Sequence, residues 1–121
     1  MIKGGVASIY VTDFDRAVAF YGGILGLNLR TLIEGEWAEF EAGSELVLGL
    51  HIARPPETVA AGIPGAVNVE LHVAGTMEEA VEALETKGCS IDGPIENYEH
   101  VRIATVRDPD DNAILLAQVL S

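Results

Sequence analysis

Along the first dozen residues Val6, Ser8 and Tyr10 alternate with Ala7, Ile9 and Val11, the two-residue period of a strand. Asp13 then opens a helix whose apolar positions, Phe14, Ala17, Val18, Tyr21 and Ile24, recur at helical spacing until Gly26 ends it. Gly22 and Gly23 lie inside that helix, where each glycine costs about 1 kcal/mol relative to alanine, so the pair implies close packing or fraying. Strand patterns follow over 27–34, 36–42 and 46–52, and the breaks at Gly35 and Gly43-Ser44 predict an antiparallel meander.

Residues 53–65 hold three of the five prolines and keep no period, which predicts a linker. The earlier order then returns. A strand over 66–73 precedes a helix in which Thr76 and Glu79 form a capping box and Met77, Ala80, Val81 and Leu84 share one face. Strands are predicted over 90–95, 101–107 and 113–119. Gly88 stands 62 residues beyond Gly26 and Asn68 stands 62 beyond Val6, the mark of an internal duplication. The expectation is one α+β domain over 1–121, built from two strand-helix-strand-strand-strand modules, 5–52 and 66–119. Together they would form a cupped, mostly antiparallel eight-stranded sheet with the helices on its outer face.

Strand parity says what each face carries. Val67, Val69, Leu71 and Val73 are uniformly apolar and require a helix, so Asn68, Glu70 and His72 point the other way. The same parity places Val6, Ser8 and Tyr10 with Gly49 and His51 on the cup side, and leaves Leu115 and Ala117 there too. One face is core and the other is polar and concave, a pattern suited to binding a small molecule.

Composition narrows the partners. Asp and Glu total 19 against 7 Lys and Arg, a net charge of −12 that repels nucleic acid and anionic membranes. The acidity either keeps a chain that is 49% hydrophobic soluble or steers a cationic ligand toward it. No apolar run of about 18 residues is present to span a membrane. With no signal-like apolar segment and a single cysteine, Cys89, the expected setting is cytoplasmic.

The run Val11-Thr12-Asp13-Phe14, continued by Phe20-Tyr21 and Leu25-Gly26-Leu27, and the later Arg102 with Asp108-Pro109-Asp110-Asp111-Asn112, resemble the vicinal oxygen chelate superfamily. This is the glyoxalase I, bleomycin-resistance and extradiol dioxygenase group. Where the family has Gly, this chain has Asp111, which can still serve in a turn that needs a left-handed residue. The resemblance implies a cup commonly completed by a second subunit, and hence a homodimer. It also implies four places for a divalent metal, on the first, fourth, fifth and eighth strands. Here those places read Val6, Gly49, Asn68 and Leu115, so the family's standard metal site is expected to be absent.

The remaining polar set defines the candidates. Ser8, Tyr10, Trp37, His51, Asn68, Glu70 and His72 are the candidate ligand-binding residues, with Glu70 and His72 as candidate acid-base groups. No metal is expected; the alternative is a displaced divalent site of His51, Glu70 and His72. Trp37 with Glu39 and Glu41 forms either an aromatic and anionic wall for a cationic or planar compound, or a solvated face with one anchoring aromatic. Arg102 reads as a structural ion-pair residue, and His100 and the acidic residues of the second helix as surface. Two functions follow from this set. One is metal-free binding of a small cationic or aromatic molecule; the other is a lyase, isomerase or dioxygenase using Glu70 and His72.

Overall fold

The computed structural model of the chain describes Met1, residues 6–55, Ile63 and residues 69–120. Strand β1 (Ala7–Val11) leads into α1 (Phe14–Val18), which continues as a wider, π-helical segment over Ala19–Ile24. The meander β2 (Asn28–Ile33), β3 (Trp37–Ala42) and β4 (Leu46–Ile52) completes the first module. The second repeats the order with β5 (Val69–His72), α2 (Met77–Thr86), β6 (Glu96–Asn97), β7 (Val101–Arg107) and β8 (Ala113–Val119).

The eight strands are shared between two four-stranded sheets of identical plan, β1-β4-β3-β2 and β5-β8-β7-β6. Each is mixed: the first strand pairs parallel with the fourth, and the rest of each sheet is antiparallel. The α+β class and the repeated modules are therefore as the periodicity predicts. The sixth strand is not: the expected span 90–95 is largely irregular, and only Glu96–Asn97 pairs with β7. Ile91 and Ile95 still pack on the core, so apolar spacing there reflects anchoring of a loop rather than a ladder. Asn68, with the neighbouring strand residues 66–68 and most of the linker, lies outside the described residues.

Local chemistry explains the helix ends. Asp13 caps α1 by accepting from the Arg16 amide, and the Thr76 hydroxyl accepts from the Glu79 amide at the start of α2. Gly26 and Gly88 leave the helices with φ of 73° and 85°, conformations a Cβ would strain. The glycine pair within the first helix has a divided role. A Cβ on Gly22 would stand 3.0 Å from the ring of fully buried Phe40, whereas one on Gly23 would meet nothing within 4 Å.

One hydrophobic cluster draws on both modules, with Ile9, Val11, Phe40, Leu48 and Leu50 from the first sheet and Val69, Leu71, Val106, Ile114 and Leu116 from the second. Phe14, Ala17, Phe20 and Tyr21 of the first helix and Met77 and Leu84 of α2 cover those faces. Burial of this apolar area is the principal stabilising term. Polar clamps then set one module against the other. The buried Tyr21 hydroxyl donates to Asp108 at 2.7 Å, and the Thr12 amide donates to Asp110 at 2.8 Å. Asp108 sits in the β7–β8 turn, where Asp111 adopts φ 72°, the left-handed conformation expected of that position.

Candidate functional site

The face of each sheet opposite the helices carries the candidate residues. Register aligns them in rows across the first sheet. Tyr10 of β1 pairs with His51 of β4, and His51 with Trp37 of β3. In the next row Ser8 pairs with Gly49, and Gly49 with Glu39. Tyr10 and His51 meet edge to face at 5.5 Å, as do Trp37 and His51 at 5.9 Å. His51 Nδ1 lies 2.7 Å from the Ile52 carbonyl, which can only accept, so that nitrogen carries the proton in the bond.

Gly49 decides how this face is shaped. A Cβ there would fall 2.3 Å from Cη2 and 2.7 Å from Cζ2 of Trp37, so the benzo ring of the indole lies in the space a side chain would take. The indole Nε1 donates to Glu39 Oε2 at 2.8 Å, and Glu39 Oε1 accepts from Arg30 Nε at 2.9 Å. The tryptophan is thus held at both ends. Glu39 spends its charge on Arg30 and on the indole proton, so of the two readings of this strand face the anionic wall loses the Glu39 charge within the protein.

Arg30 was not among the residues singled out from sequence. It reaches the cup because the β2–β3 register shifts between Leu29 and Thr31, an irregularity no alternation pattern announces. Glu41 shares the face and is half-buried.

The second sheet contributes a different pair. Glu70 and His72 project from β5 on the side of Leu115 and Ala117, as parity predicts. Their side chains meet, with His72 Nε2 2.9 Å from Glu70 Oε2, and both are exposed. His51 belongs to the other sheet. Among the described residues no three His, Cys, Asp or Glu side chains stand close enough to hold a metal, so His51, Glu70 and His72 are not brought together as a ligand set. Val6, Gly49 and Leu115 offer no donor atom, and the residues present do not fit the metal that the resemblance implies.

Two grooves of about 980 and 820 Å³ border the helices. Tyr10, Trp37 and His51 line neither, while Glu70 and His72 help line the second. Arg102, read as structural, makes a paired contact with Glu78 of α2 and also bonds Asn97 and Gln118. Glu78 is therefore not a free surface charge. His100 is exposed beside Glu99, and Cys89 is buried, with burial pushing its thiol pKa up and leaving it a small apolar filler.

Sequence comparison agrees with this architecture. The profile of the Glyoxalase/Bleomycin resistance protein/Dioxygenase superfamily matches residues 5–116. The chain belongs to that superfamily. No curated protein matches its sequence. Among solved structures, TnmS3, an antibiotic binding protein from Streptomyces sp. CB03234, is 27% identical with a TM-score of 0.73, covering 98% of each chain. A glyoxalase/bleomycin resistance protein from the same organism is also 27% identical, with a TM-score of 0.71 over 93% of this chain and 97% of its own. A protein of unknown function from Agrobacterium tumefaciens, 22% identical over 99% of this chain and 96% of its own, shares the fold with a TM-score of 0.77. No helix among the described residues of this superfamily member is long and apolar enough to cross a membrane.

Proposed function

We propose that this protein binds a small planar molecule in its cup without a metal, in the manner of an antibiotic-binding protein. The observation that carries the reading is the Trp37 indole, spread over Gly49 and pinned through Nε1 to Glu39. A fixed aromatic surface on a partly polar face offers stacking area at little entropic cost. The likeness to TnmS3 supports small-molecule binding as the general activity. With Glu39 already paired to Arg30, planarity of the ligand counts for more than positive charge.

The cup faces of both sheets are open in a single chain, with Ser8, Tyr10, Thr31, Ile33, Glu70 and His72 all exposed. We propose a homodimer in which a second copy closes them. Ile33, 56% exposed on the edge strand β2 and paired with Trp37 on the cup face, supports an apolar contact of that kind.

The test uses tag-free protein, titrated with proflavine, a planar cation, and acridone, a planar neutral compound, with and without EDTA. Saturable binding of either probe that EDTA leaves unchanged supports the reading; binding of neither, or binding that requires a divalent metal, overturns it.

The His72–Glu70 contact at 2.9 Å favours a second reading, in which this pair transfers a proton as part of an isomerase, lyase or dioxygenase. Conversion of a bound compound, followed by mass spectrometry and lost in both Glu70→Gln and His72→Ala, would move the assignment to that enzyme.

A further inference from the structure

Gly49 has neighbours on every side of the cup face: Ser8 on β1, Glu39 on β3, and His51 two residues along its own strand. Its backbone is not among the left-handed glycines, so conformation does not explain the residue. Space does. Besides the two indole atoms at 2.3 and 2.7 Å, a Cβ there would meet Val6 Cγ1 at 3.0 Å, and even alanine would have to displace the ring.

We infer that Gly49 determines the specificity of the cup, by leaving the opening into which Trp37 lies and so giving the site a flat aromatic floor. The inference rests on the small-molecule reading above and adds the residue that controls which molecules fit. Trp37 springs from the row of Tyr10 and His51, yet its benzo ring reaches Gly49 in the row of Ser8 and Glu39, because nothing rises from β4 at that point. The indole N–H is committed to Glu39, so the ring recognises a ligand through its face and not through a hydrogen bond. The compounds selected are flat π-systems, neutral or cationic, and saturated cations of similar size are discriminated against.

The same geometry explains why a ligating residue does not fit at this position by itself. A His or Glu at 49 would be built into the volume the indole fills, and would expel the ring before reaching any ion. The opposite face of β4 is untouched by such a change, since Leu48 and Leu50 carry the core contacts.

Trp37 is the sole tryptophan of the chain, so its emission reports its own seat without any ligand. In Gly49→Ala, acrylamide quenching of Trp37 should rise about twofold as the ring leaves its shelf. Affinity for proflavine and acridone should fall about tenfold or more, the scale of one lost stacking contact. Cyclohexylammonium should bind the wild type and Gly49→Ala equally weakly. A variant that folds but keeps the wild-type quenching and the wild-type affinity for both planar probes overturns the inference. So does one in which the ring moves while both planar probes bind as before, an outcome that leaves the small-molecule reading standing. If neither planar probe binds the wild type, that reading falls and takes the specificity assignment with it. Should Gly49→Ala fail to fold, the wild type decides: Gly49 Hα resonances shifted upfield by the indole ring current are expected, and ordinary shifts refute the placement.

Discussion

Tyr21 and Asp108, 87 residues apart in sequence, meet through a buried 2.7 Å hydrogen bond that ties the first module's helix to the second module's last turn. Asp108 is 4% exposed, and its two oxygens also accept from the Asp110 and Asn112 amides and the Asn112 side chain. Burial first, and then the Asp108 carboxylate, hold the Tyr21 hydroxyl far above its ordinary pKa, so it remains a donor throughout the accessible pH range. Tyr21→Phe leaves the ring in place and removes one of these bonds. The expected loss is about 1–3 kcal/mol of unfolding free energy, measured in urea, because a carboxylate is left one donor short in a buried site.

The adjacent glycines of the first helix should respond in opposite directions. Gly23→Ala meets no atom and reduces the freedom of the unfolded chain, so a gain of about 0.5–1 kcal/mol is expected. Gly22→Ala must push the Phe40 ring from a fully buried position and should lose stability. Thermal midpoints of the two single variants compared with the wild type check both signs.

Glu78 is held down to about 2 from 4.5, first by its hydrogen bonds from Arg102. A carboxylate with a depressed folded pKa contributes stability that is complete above 4.5 and disappears as pH falls toward 2. The gap in thermal midpoint between wild type and Glu78→Gln should therefore be widest near neutrality and close between those values. Since Glu78 is solvent-exposed the gap should be small and should shrink in high salt.

Association of two copies brings together chains of net charge −12. If the homodimer forms through the apolar β2 edge and the open cups, raising ionic strength screens the repulsion and should tighten it. Light scattering at tens of micromolar and increasing salt is expected to show a mass moving from mixed to fully dimeric; a monomer at every salt concentration refutes the dimer.

Much of this arrangement was legible from spacing alone. The alternation in 46–52, 101–107 and 113–119 maps onto β4, β7 and β8 residue for residue, because each has one face sealed by helices and the other open. Asp13, Thr76, Gly26 and Gly88 marked helix ends through chemistry that acts within a few residues. The widening of the first helix at Ala19–Ile24 was hidden, and so was the close approach of Gly22 to Phe40, which lies on another element. Within the candidate site, parity placed Tyr10, His51, Glu70 and His72 on the correct faces. It was silent on Arg30, which a shift of register turns toward Glu39, and on the indole that fills the gap above Gly49. Both depend on what a neighbouring strand presents, information that a linear period does not contain.

The parallel pairing of the first strand with the fourth has a kinetic consequence. Hairpins β2–β3, β3–β4 and β7–β8 join segments adjacent in the chain, but Ser8 must find Gly49 and Glu70 must find Leu115 across long loops. Closing such loops adds entropy cost that local turns avoid, so β1 and β5 dock after their partners exist. Those late strands carry Tyr10 on one sheet and Glu70 with His72 on the other. Tyr10 on the first sheet and the Glu70–His72 pair on the second are thus expected to be the last of the candidate residues to be placed, after Trp37 and Gly49 have met in the β3–β4 hairpin. Amide exchange should find β1 and β5 among the first strands to open.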